Sequence, residues 1–182
     1  MSIVRLIAGS FGGRIITAPD NERTHPMSER VRGSLFNIIS DRLEGAEVLD
    51  AFAGTGSLGF EALSRGAQKV TFVERDRVAQ NILLENAAAL KVTNKIKLIK
   101  ATVSAWHETS AEEQFDLIFC DPPYHDMQMA TIAKLFSHVK PSGLMVVSHP
   151  NRSDLPIAKG IAVADSRRYG TSALTFYRRE AV

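Results

Sequence analysis

The segment from Ala46 to Ser64 constrains the fold more than any other. Ala46-Glu47-Val48-Leu49-Asp50-Ala51-Phe52 reads as a buried strand. It runs into Ala53-Gly54-Thr55-Gly56-Ser57-Leu58-Gly59, and a helical pattern begins at Phe60-Glu61-Ala62-Leu63-Ser64. Strand, glycine turn and helix make the first βα unit of a Rossmann-like sheet, and the glycines let the backbone approach a ligand closely. Gly66 to Lys69 turns into a second strand, Val70 to Glu74. Glu74 ends it about twenty residues past the glycines, where an acid can accept both hydroxyls of a ribose. Gly54, Gly56 and Gly59 also satisfy G-x-G-x-x-G spacing. NAD and S-adenosylmethionine both carry an adenosine, so these features specify an adenosine-containing ligand and no more; a glycine turn without a ligand is the alternative.

The rest of the chain continues the same rhythm. Residues 3–8 and Arg14 to Thr17 read as a β-hairpin around Gly9 to Gly13, and Pro19 to Pro26 as a polar loop. Ser28 is a candidate N-cap for a helix to about residue 43, with Val31, Leu35, Ile38 and Ile39 at helical spacing. Asp76 caps a helix to Leu90, Ile96 to Lys100 is a strand, and Thr102 to His107 begins a helix or loop in which Trp106 packs. After the strand at Phe115 to Cys120, Met127 to Val139 is helical and Pro141-Ser142-Gly143 stops it. Leu144 to Ser148 is a strand, Asn151 to Pro156 a polar loop, and Ile161 to Asp165 and Ser172 to Arg178 are closing strands joined around Tyr169-Gly170. The pattern predicts an α/β, doubly wound, mostly parallel sheet of seven strands with an antiparallel last strand, preceded by a small hairpin and helix. The expected division is an appendage over 1–44 and a Rossmann-like domain over 45–182, consistent with a chain of 182 residues.

Phe115-Asp116-Leu117-Ile118-Phe119-Cys120 is an apolar run halted by Asp121-Pro122-Pro123-Tyr124. Proline cannot extend a sheet ladder, so the chain leaves the sheet at Asp121, at the ligand-binding edge of an open α/β sheet. The tetrapeptide suits a planar exocyclic amine. Asp121 and the Pro122 carbonyl can accept its hydrogens, and Tyr124 can lie on the face of a base. Two acceptors help localise an aryl amine's lone pair toward an electrophile. The plain alternative is a Pro-Pro turn with a surface tyrosine. In a doubly wound sheet the first and fourth strands are neighbours, so Gly54 and Asp121 should open onto one crevice. An adenosine ligand beside an amine clamp points to methyl transfer from S-adenosylmethionine by in-line displacement. Positioning can supply roughly 7–11 kcal/mol of such a barrier, and no strong base is required. His125 is given no catalytic role.

Composition narrows the setting. Hydrophobic residues make up 45% of the chain, which supports a packed core, and no apolar run spans a bilayer. The N-terminus lacks a signal-peptide core, so a cytoplasmic protein is expected. The one cysteine, Cys120, excludes an internal disulfide framework, and the five scattered histidines show no metal-ligand spacing. Net charge is only +2, but arginines gather at Arg5, Arg14, Arg23, Arg30 and Arg32, then at Arg167, Arg168, Arg178 and Arg179. Arg30 and Arg32 sit near a helix start, where the dipole does not favour cations; phosphate contact would explain them, and so would ordinary solvation.

Arg5-Leu6-Ile7-Ala8-Gly9-Ser10-Phe11-Gly12-Gly13-Arg14, the segment Met27 to Asn37, the loop from Leu49 to Ala67, Asp121 to Tyr124, and Tyr169-Gly170 with Phe176-Tyr177-Arg178 together resemble the RsmD-type family of bacterial 16S rRNA guanine-N2 methyltransferases, nearly end to end. The resemblance implies a Rossmann-like S-adenosylmethionine-dependent methyltransferase acting on one guanine of 16S rRNA, on the small subunit or an assembly intermediate. It implies no metal and no membrane, and a monomer is expected. Carried over by position, Asp50, Phe52, Ala53, Gly54, Thr55, Gly56, Glu74 and Arg75 would hold the cofactor. Asp121, Pro122, Pro123 and Tyr124 would hold the guanine, and Arg5, Arg14, Arg30, Arg32 and Arg168 would face RNA, with Arg30 and Arg32 near RNA or the cofactor pocket. Where relatives often carry Asp or Asn toward the adenine, this chain has Ala101-Thr102, so backbone or Thr102 takes that contact. A small protein without a separate reading domain suits a folded ribonucleoprotein target whose base is presented outside its stack. A DNA adenine-N6 or cytosine-N4 methyltransferase shares the clamp but needs more chain for duplex readout. A protein-glutamine enzyme more typically has Asn at 121, and an NAD enzyme needs an acid–base pair not seen here. A non-catalytic ribosome-assembly binder has no need of Asp-Pro-Pro-Tyr.

Overall fold

The computed structural model describes residues 1–19 and 27–181; the loop expected over Pro19 to Pro26 lies, Pro19 apart, outside them. Strands β1 (Ser2–Arg5) and β2 (Ile15–Ala18) pair antiparallel, Ser2 opposite Ala18 and Arg5 opposite Ile15. Helix α1 (Glu29–Ile38) starts where Ser28 accepts a hydrogen bond from the Val31 N–H at 3.3 Å, and a separate 3-10 turn follows at Ser40–Arg42. Then come β3 (Glu47–Asp50), α2 (Ser57–Ser64), β4 (Lys69–Val73), α3 (Arg77–Leu90, capped by Asp76), β5 (Ile96–Ile99), α4 (Val103–Thr109, capped by Thr102), β6 (Phe115–Cys120), α5 (Met129–Leu135), β7 (Val139–Pro150), β8 (Ile161–Tyr169) and β9 (Ser172–Arg179).

The seven-stranded sheet has the order β5-β4-β3-β6-β7-β9-β8. The first five strands of that order are parallel, and β9 is antiparallel to both β7 and β8. The expected mostly parallel sheet with an antiparallel last strand is present. One local expectation is overturned. Pro141-Ser142-Gly143 does not separate a helix from a strand, because β7 already begins at Val139 and runs through it. The β6–β7 register jumps from Phe115 opposite Val139 to Leu117 opposite Leu144, and Ser142 takes a positive φ of 64°. The proline sits in a bulge, where its missing N–H breaks no regular ladder.

Side-chain alternation sends each central strand into two cores, which explains its continuous apolar runs. On one face Val48, Phe60, Phe72 and Phe119 meet Val4, Leu6, Ile16, Leu35 and Phe36 from the hairpin and α1. On the other, Leu49, Ile118, Met145 and Val147 meet Trp106, Ile132, Phe136 and Tyr177.

The polar centre of the first core corrects the expected role of Arg32. This side chain does not face RNA or the cofactor pocket: it is 1% exposed. It donates to the Arg5 carbonyl at 2.5 Å and the Met27 carbonyl at 3.3 Å, and its Nε lies 4.0 Å from Glu61. The reason is helical phase. Arg32 shares the buried face of α1 with Leu35, Phe36 and Ile39, whereas Arg30 lies on the exposed face. Glu61, fully buried on α2, accepts the Ile7 N–H at 2.8 Å, the Ala8 N–H at 3.1 Å and Arg65 Nε at 2.8 Å. The N-terminal segment is thereby pinned to the helix that follows the glycine turn.

Candidate active site

The carboxyl ends of β3, β4, β5 and β6 open onto one cavity of about 640 Å³. Its wall includes Asp50, Phe52, Ala53, Gly54, Thr55, Glu74, Arg75 and Thr102, together with Asp121, Pro123 and Tyr124. The glycine turn and the Asp121–Tyr124 segment meet because β3 and β6 are adjacent, with Asp50 opposite Phe119. Two expected residues are placed differently. Gly56 lies outside the wall and acts on the backbone: it is the N-cap of α2 at φ 88°, and a Cβ there would lie 2.6 Å from the Phe60 ring. Pro122 is buried behind the wall.

Four acids, Asp50, Glu74, Asp76 and Asp121, line this cavity. Glu74 Oε2 accepts the Gly54 N–H and its Oε1 the Asp76 N–H, both at 2.7 Å. That fixes the glycine turn against the end of β4 and leaves other lone pairs for a ligand. Burial raises the Glu74 carboxyl above its ordinary range, against the pull of those N–H groups. Asp50 is 1% exposed and Oδ2 accepts the Gly59 N–H at 3.0 Å, while Oδ1 has no partner among the described residues. Burial pushes this carboxyl up to about 7; the Gly59 N–H opposes the rise, and the charges of Asp121 and Glu74 add to it. A buried, orphaned carboxylate oxygen beside two more acids calls for a cationic, hydrogen-donating ligand. S-adenosylmethionine fits that requirement: it offers an ammonium and a sulfonium for Asp50 and ribose hydroxyls for Glu74. Thr102 Oγ1 accepts the Ala105 N–H at 3.2 Å, which leaves its own proton for an adenine acceptor.

Asp50→Asn is expected to weaken S-adenosylmethionine binding about 10- to 100-fold, or ~1.4–2.7 kcal/mol, as read by calorimetric titration. The melting temperature of the ligand-free protein at pH 8 should not fall. A carboxyl whose pKa rises on folding opposes folding increasingly as pH climbs through that pKa, so removing its charge relieves the fold.

The Asp121–Tyr124 segment follows the end of β6. Burial pushes the Asp121 carboxyl up to about 6, with the Ser148 hydroxyl favouring its ionised form. Tyr124, 43% exposed at the cavity, places its hydroxyl 2.6 Å from Ser148 Oγ. Ser148 is an addition to the sequence reading and lies in β7, two residues before its end at Pro150, while His125, given no catalytic role from the sequence, lines the cavity. Arg5, Arg14, Arg30 and Arg168 are exposed and lie outside the cavity wall. Arg14 donates to the Ala89 carbonyl at 2.6 Å and stands over the Phe11 ring, and Arg30 borders a shallow groove on α1 with Ile7, Ser34 and Asn37.

Residues 4–178 match the protein family described as Conserved hypothetical protein 95. The chain is 37% identical over 149 residues to Ribosomal RNA small subunit methyltransferase D of Haemophilus influenzae, covering 79% of this chain and 77% of that protein. It is 31% identical over 182 residues to "Putative rRNA methyltransferase YlbH" of Bacillus subtilis, covering 97% and 99%. The solved structure "Putative methyltransferase yhhF" from Escherichia coli superposes over 100% of both chains with a TM-score of 0.86 at 28% identity.

Proposed function

Since the chain belongs to the Conserved hypothetical protein 95 family, the RsmD family, we propose that it methylates the exocyclic N2 of one guanine in 16S rRNA. It is an S-adenosylmethionine-dependent rRNA methyltransferase. The observation that carries the finer reading is the single cavity in which Asp121 and Tyr124 stand beside Asp50 and Glu74. We place the target within the small subunit or an assembly intermediate, and read the protein as a cytoplasmic monomer. The exposed Arg5, Arg14, Arg30 and Arg168 are the proposed phosphate contacts.

When bound, S-adenosylmethionine supplies an electrophilic methyl group on sulfur. The chain's own part is to hold and polarise the amine. Ionised Asp121 accepts an N–H bond of the amine, which turns the nitrogen lone pair toward the cofactor side of the cavity. The Tyr124 ring supports the base plane. As positive charge grows on nitrogen, the Asp121 carboxylate stabilises it and can take the proton shed after transfer. Below about pH 6 a protonated Asp121 presents a donor where an acceptor is needed. The single-turnover rate at saturating cofactor should therefore fall about tenfold per pH unit below that value and level off above it.

The test of substrate uses S-adenosylmethionine carrying a labelled methyl group. Small subunits, deproteinised 16S rRNA and duplex DNA, all from cells lacking this protein, are offered in parallel. Label in rRNA or subunits, recovered as N2-methylguanosine, is expected. Label confined to DNA as N6-methyladenine would overturn the substrate assignment while keeping the clamp chemistry.

A further inference from the structure

Ser148 touches Tyr124 and stands on the strand next to the one that leads into Asp121. It is 4% exposed, near the end of β7. The β6–β7 register pairs Cys120 with Val147, so the next rung sets Asp121 beside Ser148. Both residues fall on the sheet face that carries Phe119 and Val146, because side chains alternate along a strand. The Tyr124 hydroxyl reaches the same point, 2.6 Å from Ser148 Oγ. One buried hydroxyl thus stands between the carboxylate that holds the amine and the ring that supports the base.

We propose that Ser148 is a positioning residue that locks Asp121 and Tyr124 into one unit. The proposal rests on the assignment of those two groups to the amine clamp. The direction of the bonds follows from chemistry. An ionised carboxylate only accepts, so Ser148 turns its proton to Asp121, and its oxygen then accepts from the Tyr124 phenol. The chain Tyr124 to Ser148 to Asp121 holds the ring by its far end and aims one carboxylate oxygen away from the amine. The other oxygen is left for the substrate. Ser172, at the start of β9, also faces the Tyr124 hydroxyl. The titratable groups that face Asp121 are Asp50 from β3, Cys120 from β6 and Tyr124 from the following loop. Ser148 is the neutral hydroxyl that the strand register sets beside that carboxylate.

The test compares wild type with Ser148→Ala, Ser148→Thr and Tyr124→Phe. The first arm is independent of any substrate: carboxyl resonances of aspartate-labelled, ligand-free protein are titrated by NMR, with Asp121→Asn used to assign the signal. Loss of the serine donor should move the Asp121 titration to higher pH in Ser148→Ala, and Ser148→Thr should restore it. The second arm measures single-turnover methyl transfer to the RNA substrate. Ser148→Ala should slow it about 10- to 100-fold and shift its acid limb upward with the NMR midpoint, while S-adenosylmethionine binding and the melting temperature stay near wild type. Ser148→Ala should also add less to Tyr124→Phe than it costs alone. An unmoved Asp121 titration in Ser148→Ala overturns the proposal whatever the rates. So does a loss of rate that Ser148→Thr fails to restore. A moved titration with a wild-type protein inactive on every RNA leaves the Ser148 lock standing and overturns the function assigned to the clamp.

Discussion

Asp121→Ala is expected to lower the rate of methyl transfer by about 10²–10³-fold, ~2.7–4 kcal/mol, with S-adenosylmethionine binding within a few-fold of wild type. The asymmetry follows from position. Asp121 lines the cavity at the end of β6, the proposed amine side, while Asp50, Gly54 and Glu74 line it from the ends of β3 and β4, the proposed cofactor side. Stability should not account for the loss. Burial raises the Asp121 carboxyl to about 6, so its ionised form opposes folding at neutral pH and removing it does not weaken the fold on electrostatic grounds. Asp121→Asn keeps one carbonyl acceptor but loses the charge that meets developing positive charge, so it should fall between wild type and Asp121→Ala. Single-turnover rates and calorimetric affinities on the same preparations check this. Equal losses in rate and cofactor affinity would place Asp121 in the cofactor site and remove it from the clamp.

The largest effect on stability is expected far from the cavity, at Glu61→Ala. The wild-type carboxylate is fully buried, accepts two backbone N–H groups and the Arg65 side chain, and stands 4.0 Å from the buried Arg32. Its removal strands those donors and leaves the Arg32 charge with only carbonyl partners. Breaking one side of a buried ion pair typically costs about 3–5 kcal/mol, which for a chain of this size lowers the melting temperature by roughly 10 °C. The partner test is Glu61→Leu with and without Arg32→Met. The double variant should melt higher than the single one, because it no longer strands a charge. A melting temperature within about 2 °C of wild type in Glu61→Ala would show that the N-terminal segment is held by its apolar contacts alone.

Much of the site was legible because two local rules met a topological one. A strand that ends in a glycine turn and a strand that ends in Asp-Pro-Pro-Tyr each point to the carboxyl edge of a sheet, and a doubly wound order makes those strands neighbours. Arg32 was misread because its distance from the helix start was weighed before its helical phase; the i, i+3, i+4, i+7 relation to Leu35, Phe36 and Ile39 was in the sequence all along. Glu61 gave no such signal. It looks like an ordinary helical glutamate, and its partners at Ile7 and Ala8 are about fifty residues away in the chain. Ser148 is similar, since its meaning depends on the register with β6. The Pro141–Gly143 segment reads locally as a stop, and only pairing with β6 turns it into a bulge. Gly56 was expected to hold the cofactor, but it lies outside the cavity wall, and its necessity lies in the left-handed backbone and the Phe60 ring beside it.

The most direct test of the central claim is the N2-methylguanosine content of 16S rRNA, measured by nucleoside mass spectrometry. The RNA would come from cells lacking this protein and from the same cells supplied with wild type or Asp121→Ala. The account predicts loss of about one N2-methylguanosine per 16S rRNA in the deletion, recovery with wild type and no recovery with Asp121→Ala. Unchanged N2-methylguanosine in the deletion, or full recovery with Asp121→Ala, would contradict it.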